Sequence, residues 1–404
     1  MNTYSTCLGK FCATYSNWEE ILSGEPYFLR IKRENGFVIF NYSQIESDFH
    51  NHIVREARGI IFKEGEWTYP VCHAFDKFGN YGESYTPDMD WDSVVVSEKI
   101  DGSIMKLWYH EGVWHISTNS NIYAGHSEVP DIRRNNFGEL FWEAVHKYLP
   151  NDEDIADWLD SLDSEYTYIF ELVSPYTRVI IPYEVTDLYF LGARNNVSNY
   201  QWGCDERSAG ILHTDIFPRP KLYPMKTLSQ IVTASKELPW DDEGFVCYDK
   251  NFNRCKIKSP SYVMAHFARN NNVITRKHII GIILKGEVEE FLTYASDYRH
   301  DVLSTNDLMD RYVQLMDSAG MIARGLRKLE RRRAADAIKY FHKIVQDIMF
   351  LNLDRDISGS EYVKGWDVYR WNRALDNYIN FTGGNKDEVQ RMHELLQGMV
   401  QGQA

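Results

Sequence analysis

The sequence predicts an α+β chain in two parts, a β-rich domain over residues 1–262 followed by an all-helical domain over residues 263–404. Three observations predict it. Up to about residue 260, apolar residues alternate with a period of two in short runs punctuated by Asn-Gly, Asp-Gly and Ser-Pro turns. Beyond Ser259-Pro260-Ser261 the period lengthens, and Leu, Met, Ile and Tyr recur at helical spacing. The length, 404 residues at 44% hydrophobic and 14% aromatic, suffices for two or three domains, each with its own core.

The elements follow in order. Residues 18–22 suit a short helix that ends before Pro26. Strands over 27–32 and 36–40 flank Asn35-Gly36, a strong hairpin signal. Arg55-Glu56-Ala57-Arg58-Gly59 reads as an arginine-rich turn feeding an apolar strand to Phe62, and residues 76–83 as a glycine-punctuated loop. After Val94-Val95-Val96 the pair Asp101-Gly102 is a second hairpin signal, which puts Lys99 where a buried strand ends. Strands over 104–109 and 113–118 then flank Glu111-Gly112. Helices are expected over 137–149 and 151–163, and strands over 166–172, 178–183 and 187–191. A helix over 228–238 precedes Pro239, and a hairpin joins 243–248 to 255–258. The second domain reads as helices near 286–297, 304–318, 321–352, 361–380 and 386–400, the last with a capping box of Asn385 and Glu388.

Composition narrows the chemistry. A net charge of −14 argues against a broad basic coat, so any nucleic-acid contact must be local. One stretch fits that demand: over residues 322–343, Arg327, Arg331, Arg332 and Arg333 stand among four more cations against only Glu330 and Asp336. The alternative is a solvated helix face. The six cysteines form no CxxC pair and no zinc spacing, which points to free thiols in a reducing cytoplasm. No apolar run approaches the roughly 20 residues needed to span a bilayer, so no membrane contact is expected.

The chemistry converges on Lys99-Ile100-Asp101-Gly102-Ser103. A lysine attacks only as the neutral amine, a form favoured by burial and by neighbouring cations, and Lys256 and Lys258 are candidate neighbours. Two carboxylates, Glu171 and Glu243, sit in apolar strands, where a charge is costly unless it meets a cation, a metal or a hydroxyl. One pocket explains all five. It would hold a nucleophilic lysine, cations for a polyphosphate, and acids for a divalent ion or ribose hydroxyls.

The ordered strings REARGIIF at 55–62, DKFGNYGE at 76–83, SEKIDGS at 97–103, FELVSPYTRVIIPY at 170–183, EGFVCYD at 243–249 and CKIKSPSYV at 255–263 resemble the covalent nucleotidyltransferase superfamily of ATP-dependent ligases and capping enzymes. Within it they are most similar to the bacteriophage-type RNA ligase 1 family. Ile104, where DNA ligases and capping enzymes carry arginine, and a helical rather than OB-fold continuation both favour that family over a DNA-ligase or capping-type transferase. A catalytically idle RNA-binding module is the other alternative.

The resemblance implies an adenylyltransferase domain in which Lys99 attacks the ATP α-phosphate to give lysyl-AMP. AMP would pass to an RNA 5′-phosphate and be displaced by a 3′-hydroxyl, with Mg as the metal. Arg58, Lys77, Lys256 and Lys258 would orient the phosphates, the latter two as catalytic partners of Lys99. Glu243 would hold Mg, Glu171 the ribose or a second Mg, and Gly102 and Gly244 would allow close backbone approach. Tyr262 matches a tyrosine of the ATP site, and Glu289-Glu290 stands where an aspartate pair is placed. Gly79 replaces a second phenylalanine, and Thr118-Asn119-Ser120 replaces a Lys-Gly-containing strand. Expected partners are single-stranded RNA ends or a nicked tRNA loop, and an end-healing kinase/phosphatase, with the work done in a host bacterial cytoplasm if the chain is phage-encoded.

Overall fold

The computed structural model describes residues 4–129, 136–205, 212–268, 274–339, 341 and 343–382. Two compact units divide the chain, Met1–Arg269 and Asn270–Ala404.

The first unit carries three antiparallel sheets. In one, β1 (Arg30–Glu34), β2 (Phe37–Asn41) and β3 (Arg58–Lys63) lie side by side, with Asn35 and Gly36 at positive φ in the hairpin turn, as the Asn-Gly signal requires. Helices Cys7–Thr14 and Trp18–Ser23 close one face of this sheet over Leu8, Leu22, Phe40 and Phe62. A second sheet is ordered β10–β4–β11–β12, built from Leu222–Tyr223, Val95–Glu98, Gly244–Tyr248 and Arg254–Lys258. The third is ordered β6–β5–β7–β8–β9, from Val113–Ser117, Ser103–His110, Tyr166–Val173, Asp187–Asn195 and Gln201–Trp202. Helices Phe137–His146 and Asp152–Ser161 cover it, burying Leu140, Phe141, Ala144 and Trp158 against Phe170 and Phe190. Burying a core side chain of this size contributes about 1.5–3 kcal/mol.

Three sequence expectations are corrected here. Asp101-Gly102 makes no hairpin: β4 pairs with β10 and β11, whereas β5 pairs with β6 and β7, so the chain changes sheets between Glu98 and Ser103. Residues 178–183 form no strand, because Asp101 takes the amides of Ile180 and Ile181 that a ladder would need. Arg55 lies in the last turn of a short helix, His52–Glu56, rather than in a turn, since Asn51 caps that helix through Ile53 N at 2.9 Å.

The second unit is all helical. Arg299–Leu326 is its long central helix, and Met309, Tyr312, Leu315 and Met316 meet Ile348, Met349, Trp371 and Leu375 in the core. Helix Arg276–Lys285 was not foreseen, and Gly286, expected to begin a helix, ends this one in the left-handed conformation at φ 68° before Val288–Tyr294. The expected helix over 321–352 is broken into Arg331–Ile338 and Lys343–Asp354 after the central helix ends. The fold-back places Asp354 beside Arg331 and Asp356 at 2.8 Å from Arg327, counter-charges that one straight helix would leave about 35 Å and about 44 Å away respectively. Gly365, at φ 76°, parts Gly359–Val363 from Val368–Thr382. The expected helix over 386–400, with Asn385 and Glu388, lies outside the described residues. No helix among the described residues is long and apolar enough to cross a membrane.

Candidate active site

The sheet change at Lys99 creates the site. Strand β4 ends at Glu98, the Lys99 amide donates to the Gly244 carbonyl at 2.8 Å, and the side chain then lies between the second and third sheets. Lys99 Nζ reaches Glu243 Oε2 at 2.8 Å, and Lys258 Nζ lies 3.2 Å from Glu243 Oε1. Glu243 is 4% exposed. Burial alone would raise its pKa, but Lys99, Lys258 and Lys256 outweigh burial and hold it below the usual carboxylate range. Glu171, opposite Ile104 on β7, is not rescued in the same way. Burial, assisted by the charge on Glu243, pushes its carboxyl up to about 7 despite the opposing pull of Lys99.

Lys99, Lys258 and Glu171 line a cleft of about 760 Å³ whose walls also carry Arg58, Lys77 and Lys256. Glu243 and Gly244 are not among its lining residues and reach it through Lys99 and Lys258. Arg58 opens β3, with its guanidinium 5.2 Å from the Phe78 ring centroid and its buried Nη1 unpartnered among the described residues. The 76–83 loop is clipped to β12: Lys256 N donates to the Gly79 carbonyl at 3.0 Å, and Tyr81 N to the Lys256 carbonyl at 2.9 Å. That clip brings Lys77 to the side of the cleft where Lys256 stands. Phe78 lines the cleft, so an aromatic wall is present although Gly79 occupies the second position. Asn119 also lines it, with a buried Oδ1 that has no partner among the described residues.

Two glycines let the strands close on one another. A Cβ on Gly102 would stand 2.5 Å from the Leu172 carbonyl oxygen, and one on Gly244, at φ 133°, would stand 2.3 Å from that of Ile257. Gly244→Ala should therefore cost roughly 1–3 kcal/mol of stability, the usual size of backbone strain at a position that requires positive φ. It should also displace Lys258, which faces Gly244 across the ladder. A melting temperature equal to that of the unaltered protein would show that the backbone tolerates the side chain.

The structure thus gathers Lys99, Glu171, Glu243, Gly102, Gly244, Arg58, Lys77, Lys256 and Lys258. Tyr262 is placed differently. It is 2% exposed, is not among the residues lining the cleft, and donates its hydroxyl to Asp101 Oδ1 at 2.8 Å. Glu289 and Glu290 lie in the first turn of Val288–Tyr294, and Arg327, Arg331, Arg332 and Arg333 around Arg331–Ile338, all in the second unit.

Sequence reasoning missed three residues. Asp101 was read as turn chemistry, but it is 5% exposed and gathers two amides and the Tyr262 hydroxyl. Lys106 was one letter in an alternating strand; it is fully buried, donates to the Gly59 carbonyl beside Arg58, and burial lowers its pKa to about 8. A charged residue at a core position of β5 was the available signal. Arg254 lines the cleft floor with its guanidinium 4.0 Å from the Phe75 ring centroid, and nothing in the sequence marked it.

Comparison with known proteins extends the pattern. A protein described as a bifunctional polynucleotide kinase/RNA ligase, from Autographa californica nuclear polyhedrosis virus, is 28% identical over 66% of this chain and 39% of its own length. An RNA ligase of Rhodothermus phage RM378 is 26% identical over 58% of this chain and 65% of its own. The matches therefore span less than two thirds of either relative. Among solved structures, an archaeal ATP-dependent RNA ligase superposes with a TM-score of 0.45 at 14% identity, covering 72% of this chain and 75% of that one. The family model described as RNA ligase matches residues 56–262, which is just over half of the 404 residues and takes in every residue gathered at the cleft, and the chain belongs to that family.

Proposed function

We propose that this chain joins RNA ends with ATP, through a covalent intermediate on Lys99. The observation that carries the reading is the Lys99–Glu243–Lys258 cluster, an amine and its counter-charge at a cleft walled by Arg58, Lys77 and Lys256. The Lys99 amine, once neutral, attacks the α-phosphorus of ATP; a P–N bond forms, the P–O bond to pyrophosphate breaks, and the amine proton leaves. An oxygen of an RNA 5′-phosphate then displaces Lys99 from the AMP phosphorus. A 3′-hydroxyl next attacks that 5′-phosphorus, expelling AMP and closing the phosphodiester. Such in-line transfers need positioning and charge neutralisation more than covalent acid–base groups.

Arg58, Lys77, Lys256 and Lys258 orient and neutralise the phosphates, and Arg58 Nη1, which has no partner among the described residues, fits an incoming anion. No group of three or more His, Cys, Asp or Glu side chains among the described residues forms a metal site. Glu243 and Glu171 are the carboxylates that would hold a Mg ion, and such an ion, when bound, would supply charge neutralisation at the transferring phosphate. Glu289 and Glu290, in the first turn of Val288–Tyr294, remain a candidate cation contact of the second unit. The helix bearing Arg331, Arg332 and Arg333 is read as a second RNA contact, with Arg327 and Arg331 already sharing their charge with Asp356 and Asp354. Tyr262 acts by positioning Asp101 rather than by touching ATP. The 5′-phosphate and 3′-hydroxyl ends, single-stranded or in a nicked tRNA loop, would come from an end-healing kinase/phosphatase in the same cytoplasm; the viral relative's description joins a kinase to a ligase.

The deciding experiment is intact-protein mass after incubation with ATP and Mg, on protein first stripped with pyrophosphate. A gain of one AMP is expected, and unchanged mass would refute the covalent route. A separate test concerns Glu171. Its carboxyl titrates near 7 in the folded chain against about 4.5 when exposed, so the fold favours the protonated form. Stability from this group is complete below about pH 4.5 and is lost as pH rises to about 7, by on the order of 3 kcal/mol. Melting curves of the wild type and Glu171→Gln should diverge over that window, the wild type losing ground, and run parallel above it. Parallel curves throughout would mean that the carboxyl is not desolvated.

A further inference from the structure

Lys106 is a cation that the ATP chemistry leaves out. It stands on β5 two residues beyond Ile104, which lines the cleft, and on the same face, opposite Ser117 of β6 and Ile169 of β7. The side chain is fully buried, and no carboxylate among the described residues pairs with it. Its amine donates to the Gly59 carbonyl on β3, and Arg58 is close enough to oppose its charge. A buried ammonium without a counter-charge is costly, so its bond to Gly59 calls for an explanation.

Strand β3 is irregular where Lys106 reaches it. Phe40 of β2 faces Ile60 and Asn41 faces Arg58, which leaves Gly59 as an extra residue, a bulge, at φ 74°. Bulges bend a strand and re-aim the side chains beside them. Here the neighbouring side chain is that of Arg58. Its guanidinium lies 5.2 Å from the Phe78 ring centroid, and no hydrogen bond or ion pair among the described residues fixes it. The aim of Arg58 into the cleft is therefore set by its backbone, and that backbone by what holds Gly59. The hold is close: a Cβ on Gly59 would stand 2.6 Å from Lys106 Nζ, 2.7 Å from Asn119 Cα and 2.8 Å from the Asn119 carbonyl oxygen. We propose that Lys106 is a positioning residue for ATP: by holding the Gly59 carbonyl it fixes the bulge that aims Arg58 at the phosphates. The proposal rests on the RNA-joining reading for the role of Arg58 and adds what puts that guanidinium in place.

The test is a double-mutant cycle read by ATP affinity. Calorimetric titration of the full chain is carried to millimolar ATP, with divalent metal chelated so that no AMP is transferred. Lys106→Met keeps the length and apolar body of the side chain and removes the donor. It should weaken ATP binding by about tenfold at a melting temperature close to that of the wild type. In an Arg58→Ala background the same change should cost nothing further, because the residue it acts through is gone. In a Lys256→Ala background, on another sheet, the full loss should remain. Wild-type affinity in Lys106→Met would overturn the proposal. So would an equal loss in the Arg58→Ala background, the mark of a general loosening of the fold. If Lys106→Met melts far below the wild type, Lys106→Gln, one atom shorter and still polar, is put through the same cycle with the same readings. Mass gain with ATP and Mg keeps the two readings apart. AMP uptake by the wild type with an uncoupled cycle sinks the role of Lys106 alone, whereas a coupled cycle in a wild type that takes up no AMP sinks the ligation reading alone.

Discussion

Lys99→Ala should take up no AMP under conditions in which the wild type is fully charged, and should seal no RNA from ATP. It should still close a strand supplied with its 5′-phosphate already adenylylated, because that step needs the cleft and not the amine. The argument is positional. Lys99 follows directly on β4 at the change of sheet, its amide is tied to Gly244 and its amine to Glu243, so its reach is fixed by backbone rather than by a flexible loop. Removing the amine leaves Glu243 beside Lys258, so the buried carboxylate keeps a counter-charge and the fold should survive. A Lys99→Ala protein that gains AMP would place the nucleophile elsewhere, and Lys258, on the other oxygen of Glu243, would be the first residue to examine.

Much of this site was legible in the sequence because its residues are chemically out of place. A lysine at the end of an apolar strand, and carboxylates within apolar strands, break the burial rule and so announce a partner. Glu243 meets Lys99 and Lys258 as that logic requires, and Glu171 meets no counter-charge strong enough to keep its carboxyl from rising to about 7. What was illegible depended on pairing over long separations. The Asp-Gly hairpin signal at Asp101-Gly102 is local, and it lost to a carboxylate that bonds amides about eighty residues later in the chain. Residues 178–183 alternate as a strand should, yet their amides were already claimed. In the helical unit, period gave the element type while the breaks escaped it, because the interruption between Leu326 and Arg331 is fixed by tertiary packing and by Asp354 and Asp356 folding back onto the cations.

Asp101→Ala should be the most damaging substitution outside the phosphate contacts. The carboxylate is buried, Oδ2 accepts Ile180 N at 2.9 Å and Ile181 N at 2.8 Å, and Oδ1 accepts the Tyr262 hydroxyl at 2.8 Å. Alanine leaves three donors without an acceptor in the interior, at a cost of roughly 3 kcal/mol or more, which for a unit of this size lowers the melting temperature by about 6 °C or more. Because Asp101 lies between Lys99 and Gly102, the same loss unties the sheet change from the 178–183 segment and from helix Pro260–Ala268, and AMP uptake should slow even at temperatures where the protein stays folded. Tyr262→Phe removes one of the three bonds and should cost about 1 kcal/mol. Asp101→Asn should fall between them, since the amide can still accept through one oxygen but turns its NH2 group toward donors. The order Ala, Asn, then Tyr262→Phe in both melting temperature and charging rate is the signature of a hub. An Asp101→Ala protein that melts with the wild type would show that those donors find other acceptors. Normal charging by a destabilised Asp101→Ala would instead separate stability from positioning, and would leave Lys99 oriented by Gly244 and Glu243 alone.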